Sequence, residues 1–345
     1  NCEFCDIIEI FGRVPRTKSP DQLIAELDAV KATGFSGPVF LVDDNFIGNK
    51  VAAKKMLRRL AVWSEAHDFP FDFFTEASVN LADDDVLIQG LVAAGFSAVF
   101  LGIETPSREA LLETQKRQNT HLDLGAAVEK LVAAGLGHSV LRIGWEFNGD
   151  WFRWGITATG KPDQYATRAR EFASAWRHIV TAIRHVKGAH FKFDWCIGAG
   201  PHYNHLALAY PGNSYVNYIG EDVYDWNRSG QPDTFKARWH AIVHQGTGLA
   251  WLAKFADAHH KKISVPEWAL VHDTFHKSHS GGDDTKFVNH MHDWFASHNL
   301  GYENYFNYGD GWMSFTMNAS HDQFPAAGKL YRSLWSRPGG VRRLT

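Results

Sequence analysis

LVAAG occurs twice in this chain, as Leu91-Val92-Ala93-Ala94-Gly95 and as Leu131-Val132-Ala133-Ala134-Gly135. Each copy reads as a helix end, with glycine where the chain must leave the helix in a left-handed conformation. The first copy leads into an apolar run at Ala98–Gly102 and the second into Val140–Trp145. A helix end that repeats and is each time followed by a strand is the unit of a parallel sheet. Outward from these copies the same rhythm continues. Ser19 can N-cap a helix, Pro20 suits its first position and Gln22 completes a capping box. Leu23, Ile24, Leu27 and Val30 form its apolar face, and Gly34 suits its end. The pattern predicts strands near 38–42, 71–75, 98–102, 140–145, 190–195, 215–220, 262–266 and 302–307. Helical patterns lie between them, near 50–67, 83–94, 107–134 (broken), 163–186, 233–260 and 284–298, with a last one at 323–335. Strands that each precede a helix predict an α/β fold of the closed (β/α)8 TIM-barrel kind. An open doubly wound sheet is the alternative, but no glycine-rich phosphate fingerprint follows any strand.

The chain has 345 residues, 45% of them hydrophobic, enough for the core of one large barrel. Its formal net charge of −3 gives no basic surface for nucleic acid. No apolar run is long enough to span a bilayer, so no membrane partner is expected. No signal peptide is visible and the first residue is Asn1, which suggests a fragment or processed form. Cys2, Cys5 and Cys196 do not make a disulfide framework, and localisation stays open. Composition is uneven along the chain. Residues 1–120 hold one Trp (Trp63) and one His (His67), against totals of 13 and 19. Two sequence origins are therefore expected, 1–120 and 121–345, joined near 118–135. No Pro-, Gly- or Ser-rich linker separates them, so they are expected to share one barrel.

Active sites of such barrels lie at the C-terminal ends of the strands. Strand four ends in Arg142-Ile143-Gly144-Trp145-Glu146-Phe147-Asn148-Gly149-Asp150-Trp151, and strand seven in Val265-Pro266-Glu267-Trp268. Two glutamates at a barrel mouth suit glycoside hydrolysis, one protonating the leaving oxygen and the other attacking the anomeric carbon or activating water. Tryptophans beside them suit the flat apolar faces of sugars. Ordinary ion pairs and core aromatics are the alternative reading; Trp195, Trp226 and Trp268 stand evenly between packing and sugar contact.

RIGWEFNGDWFRW (142–154) and SVPEWAL (264–270) resemble the acid/base and nucleophile motifs of glycoside hydrolase family 26, which includes β-mannanases and some β-glucanases and xylanases. The resemblance covers about 121–345 and implies that Glu146 is the acid/base and Glu267 the nucleophile. It implies a strand-six motif at Asp222 and Tyr224, with Tyr224 hydrogen-bonded to the nucleophile. It makes Trp151 and Trp312 sugar platforms and has Arg142 and Asn148 hold the acid/base; Trp145 and Trp268 join the candidate substrate-binding set. Trp145 stands where mannanases usually carry His, which leaves mannan and β-glucan both open. Relatives of this part are usually secreted, and hydrolysis would need no cofactor.

The first third resembles radical S-adenosylmethionine enzymes of the cobalamin-dependent type, through Cys2-Glu3-Phe4-Cys5-Asp6, Phe40-Leu41-Val42-Asp43-Asp44-Asn45-Phe46 and Leu101-Gly102-Ile103-Glu104-Thr105-Pro106. Cys2 and Cys5 match the last two cysteines of a C-x3-C-x2-C loop that holds a [4Fe–4S] cluster, an incomplete metal motif whose first cysteine would precede residue 1. Asp43, Asp44 and Glu104 match residues lining that family's cofactor cleft, or simply cap strand ends. Three strands of one kind followed by five of the other look like a barrel chimera. It lacks the hydrolase's own first three strands, so substrate grip would be weak.

Other chemistries are less well supported. His259, His260, His276, His279, His290 and His292 could suggest a metal, but His290 and His292 point to different helix faces and no H-E-x-x-H occurs. Cys196 reads as a small buried hydrophobe, and no G-x-S-x-G elbow occurs. The expectation is a monomeric retaining endo-β-glycosidase acting on a β-linked polysaccharide or oligosaccharide. The alternatives are a radical enzyme using [4Fe–4S] and S-adenosylmethionine, or a weak or inactive carbohydrate-binding barrel.

Overall fold

The computed structural model describes residues 17–41, 45–102, 123–137, 140–152, 154–158, 160–200, 205–226, 234–273, 280–306, 313–314 and 324–335. Cys2, Cys5, Asp43, Asp44, Glu104, His276, His279 and Trp312 lie outside these residues. The chain forms two compact units, 1–143 with 176–193, and 144–175 with 194–345.

In the first unit, helix α1 (Pro20–Ala32) starts as its capping box predicts. Gln22 N–H donates to Ser19 Oγ (3.2 Å) and Ser19 N–H donates to Gln22 Oε1 (2.8 Å). Strands β1 (Gly37–Leu41), β2 (Phe71–Ser78) and β3 (Phe96–Gly102) form a parallel three-stranded sheet, with α2 (Lys50–Ala66) and α3 (Asp85–Ala94) as its crossovers. Asp84 caps α3 and also holds Lys54 at 2.8 Å, and that ammonium partner keeps its carboxyl below the ordinary range. The first LVAAG ends α3 as expected, with Gly95 at φ +89°, and the second closes α4 (Leu124–Ala133), with Gly135 at φ +94°.

Leu131, from the second LVAAG segment, and Leu136, just after it, lie in one core with Leu57, Leu60, Trp63, Phe73, Leu87 and Leu91. Ala127 of α4 packs on Val79 and Ala82, in the turn after β2. Residues just after the composition change are therefore built into the apolar core of the first unit, and β3 packs beside β4 (Val140–Leu141).

A second parallel sheet has the order β4-β5-β6-β7-β9, comprising β5 (Lys192–Gly198), β6 (Tyr218–Tyr224), β7 (Lys262–Ala269) and β9 (Leu300–Tyr305). Short strands β8 (His272–Asp273) and β10 (Met313–Ser314) pair antiparallel. The eight expected strands thus occur as three plus five. Among the described residues the hydrogen-bonded pairs group them into two parallel sheets, so the expected parallel-strand α/β fold is present. Strand four is also shorter than expected. Gly144 at φ +53° and Glu146 at φ +51° leave the extended region and end the ladder at Leu141.

Helix α5 (Tyr165–Arg184) matches its expected range, but the single helix expected at 233–260 is two, α6 (Phe235–His244) and α7 (Leu249–Ala258). Gly246 takes φ +61°, and at Gly248 a Cβ would lie 2.2 Å from the Ile242 carbonyl oxygen. The chain turns there because only glycine permits that approach. Helices α8 (Thr285–Ser297) and α9 (Pro325–Trp335) follow β7 and β9, and among the described residues no helix is long and apolar enough to cross a membrane.

Leu131→Ala should cost about 2–5 kcal/mol of unfolding free energy, as should Leu57→Ala in the same core. Urea unfolding checks this; a loss near zero for Leu131→Ala would show that α4 does not share the core of the first three strands.

Candidate active site

Within the second unit, side chains alternate between the two faces of each strand. Asp194, Cys196 and Gly198 on β5 face Gly220, Asp222 and Tyr224 on β6: the Cys196 thiol donates to Asp222 Oδ1 (3.5 Å), and Gly220 lies where a Cβ would meet Asp194 Oδ1. Ser264 of β7 joins this face through its hydroxyl, which donates to Asp194 Oδ1 (2.7 Å), and Tyr302 of β9 donates to Asp194 Oδ2. By simple alternation, Glu267 would then point to the opposite face from Ser264. The register prevents this. Gly220 pairs with Ser264, but Val223 pairs with Trp268; Val265 pairs with Glu303, but Trp268 pairs with Tyr305. Against both neighbours β7 carries one extra residue between Val265 and Trp268, a bulge that holds Pro266, which has no N–H to donate to a ladder. One extra residue reverses the facing of everything after it. Glu267 is thereby brought to the face of Tyr224, whose hydroxyl donates to Glu267 Oε2 at 2.6 Å.

Glu146 is set in place by the backbone after β4. Its left-handed conformation costs energy for a residue with a Cβ, and such strain gathers at functional sites. The conformation is held by Glu146 N–H donating to the Cys196 carbonyl (3.0 Å) and by Gly149 N–H donating to the Glu146 carbonyl (3.0 Å). Asn148, buried, bonds the end of β5 twice: its Nδ2 donates to the Gly198 carbonyl (2.7 Å) and its Oδ1 accepts from Gly198 N–H (2.8 Å). Trp151 Nε1–H donates to Glu146 Oε2 (2.8 Å) while 54% of the residue stays exposed. Gly198 makes this arrangement possible, since a Cβ there would sit 3.2 Å from both Glu146 Oε1 and the Trp151 ring.

The two glutamates meet electrostatically at Tyr224. Burial raises its phenol pKa well above the ordinary value, and the charges of Glu267, Asp222 and Glu146 push it the same way. It remains a protonated donor to Glu267 across the whole range in which carboxyl groups titrate.

Trp145 is half-buried, edge-on to Phe152 and tilted against Trp154, whose indole N–H donates to the Trp145 carbonyl (2.9 Å). Arg142 is half-buried beside β4 in the first unit. Two of the tryptophans weighed evenly are packing residues. Trp195 is fully buried, with Nε1–H donating to the Ala209 carbonyl (3.1 Å). Trp268, a candidate for substrate contact, is corrected likewise. It lies beyond the bulge on the face opposite Glu267, fully buried against Phe295, Tyr305 and Trp335. Its Nε1–H donates to Glu303 Oε2 (2.5 Å), and Trp335 Nε1–H donates to Glu303 Oε1 (2.8 Å). Burial raises the pKa of Glu303, while these two donors act against the rise. Glu303, Gly198 and the Cys196 carbonyl were not singled out from the sequence, because a lone strand glutamate or glycine carries no local pattern.

Cys196 is buried on β5 with its thiol directed at Asp222, and Cys2 and Cys5 lie outside the described residues. Among the described residues no three or more His, Cys, Asp or Glu side chains come together as a metal site.

Residues 114–274 match the family model for glycosyl hydrolase family 26. An uncharacterized methyltransferase of Synechocystis sp. is 56% identical over 135 residues, 39% of this chain and 25% of the relative. A mannan endo-1,4-beta-mannosidase A and B of Caldalkalibacillus mannanilyticus is 33% identical over 79 residues, 23% of this chain and 15% of the relative. The chain thus spans a quarter or less of the length of either. A modular endo-beta-1,4-mannanase from Cellulomonas fimi has a similar fold, with a TM-score of 0.51 at 19% identity over 93% of this chain and 75% of that one. Two unrelated similarities meet in this chain, as in a chimera: residues 114–274 match the glycosyl hydrolase family 26 model, and the N-terminal part is similar to a methyltransferase.

Proposed function

We propose that the chain is a retaining endo-β-glycosidase, with Glu146 as acid/base and Glu267 as nucleophile, acting on a β-linked polysaccharide of mannan or β-glucan type. The observation that carries this reading is the Tyr224 hydroxyl on Glu267, with Glu146 near enough to act on the same phenol. In the first step Glu267 attacks the anomeric carbon while Glu146 gives its proton to the departing glycosidic oxygen, leaving a glycosyl-enzyme ester. In the second step Glu146 takes a proton from water, the water oxygen attacks the anomeric carbon and Glu267 leaves. Tyr224 keeps the Glu267 carboxylate oriented for attack. The exposed Trp151 ring is a surface on which a sugar face can stack, and its N–H fixes Glu146. Arg142 and Asn148 are assigned to holding the strand-four end, and Trp312 to a second platform. Mannan is favoured by the similarity to the Caldalkalibacillus mannan endo-1,4-beta-mannosidase, and β-glucan stays open because of Trp145. Residues 1–120 are read as scaffold and 121–345 as the part that bears the catalytic groups.

The double displacement requires that the first product keep its anomeric configuration and that the two carboxyl groups lie about 5–5.5 Å apart. Glu267→Ala should abolish turnover, with azide restoring a small rate as a substitute nucleophile. Glu146→Ala should slow natural substrates by about 10²–10⁴-fold and activated aryl glycosides far less, since their leaving groups need little protonation. NMR detection of an inverted first product would refute the mechanism.

Tyr224→Phe removes one hydrogen bond to a charged group, about 1.5–3 kcal/mol, and should lower kcat roughly 10- to 100-fold with a smaller change in KM. Equal kcat in the variant would show that the phenol does not support the nucleophile. The pH profile of the unaltered chain should be a bell in the mildly acidic range, because one carboxyl must be protonated while the other is ionised.

The methyltransferase similarity raises radical S-adenosylmethionine chemistry as the second reading. Because the chain's cysteines do not supply three thiolates for a cluster, the expected result of anaerobic reconstitution with iron and sulfide is well under four irons per chain. Four irons with reductive cleavage of S-adenosylmethionine would reverse the assignment.

A further inference from the structure

Helix α6 carries His240 and His244, spaced i and i+4, so the two imidazoles project from one face a turn apart. Both residues are exposed, and their ring centres lie 4.9 Å apart with the planes tilted by 50°. That separation has a chemical meaning. A metal–imidazole bond is about 2.0–2.1 Å, and a ring nitrogen sits roughly 1.1–1.2 Å from its ring centre, so two imidazoles sharing one cation at about 90–110° have centres about 4.5–5.3 Å apart. The observed spacing falls inside this window.

We propose that His240 and His244 form a two-imidazole site for a divalent transition-metal cation, separate from the glutamate pair. Imidazole suits copper, nickel and zinc, and copper(II) binds nitrogen ligands most tightly among the common divalent ions. Because no larger ligand group forms among the described residues, water completes the coordination. Lys236, one turn earlier on the same helix, is the nearest cationic residue in sequence on that face and tempers the affinity. Two other histidines, one in α8 and one at its C-terminal end, are engaged differently. His290 Nδ1 bonds the Lys286 carbonyl (2.8 Å) and its ring packs on Phe235 and Trp239, while His298 Nδ1 bonds the Trp294 carbonyl (2.7 Å). A cation on α6 would cross-link the helix's last turn. Just beyond, Thr247 grips Gly200 after β5, its N–H and hydroxyl donating to the Gly200 carbonyl at 3.0 and 3.2 Å.

The test uses the untagged folded chain with its accessible thiols alkylated, titrated with copper(II) and followed by calorimetry and electron paramagnetic resonance. The expected result is one copper per chain whose spectrum carries two imidazole nitrogens. His240→Ala and His244→Ala should each lower its affinity at least tenfold with an unchanged circular dichroism spectrum, while His290→Ala leaves it unaltered. Copper should also raise the Tm of the unaltered chain and not that of either variant. Equal copper affinity in His240→Ala, His244→Ala and the unaltered chain would overturn the proposal, as would a spectrum without nitrogen coupling. The test needs no glycosidase activity, so it stands apart from the proposed function.

Discussion

One additional residue in β7 is the constraint on which the candidate site depends. A strand offers its side chains alternately to two faces, and Ser264 is committed to the interior face by its bond to Asp194. Without the bulge between Val265 and Trp268, Glu267 would be turned into the helix layer and Trp268 into the mouth. With it, the glutamate meets Tyr224 and the tryptophan is buried against α8 and α9. Pro266 suits the position because the bulge asks for no ladder hydrogen bond from it. Both sides of the exchange are satisfied chemically: the carboxylate gains a phenol donor, and the indole gains Glu303 as an acceptor.

The partner glutamate is placed by backbone strain and not by strand register. Glu146 accepts a left-handed conformation, and the energy this costs is recovered by bonds from its N–H to Cys196 and from Asn148 to Gly198. The end of β5 therefore acts as the anvil for the strand-four loop. Gly198 keeps that surface bare, so that Glu146 and the Trp151 ring can lie directly on it. A side chain at this one position would press on both groups at once.

The N-terminal segment contributes differently. Its sheet and helices share an apolar core with Leu131 and Leu136, which follow the composition break. Its family resemblance points to redox chemistry, yet the chain's cysteines are divided between a pair at Cys2 and Cys5 and a buried thiol at Cys196.

Much of the architecture was legible in the residues because periodicity and punctuation are local properties. The capping box at Ser19 and Gln22, the glycines ending both LVAAG segments, and the eight main strands needed no knowledge of distant contacts. The split of the 233–260 helix was missed because glycine within a helical pattern is only mildly unfavourable until a carbonyl, here that of Ile242, lies against it. Glu146 and Glu267 could be named as candidates from motif and strand end alone. Which way Glu267 faces, that Trp268 is core, and that Gly198 carries the strand-four loop are decided by register between strands far apart in the chain. Register is a property of paired backbones, and no single strand's sequence contains it.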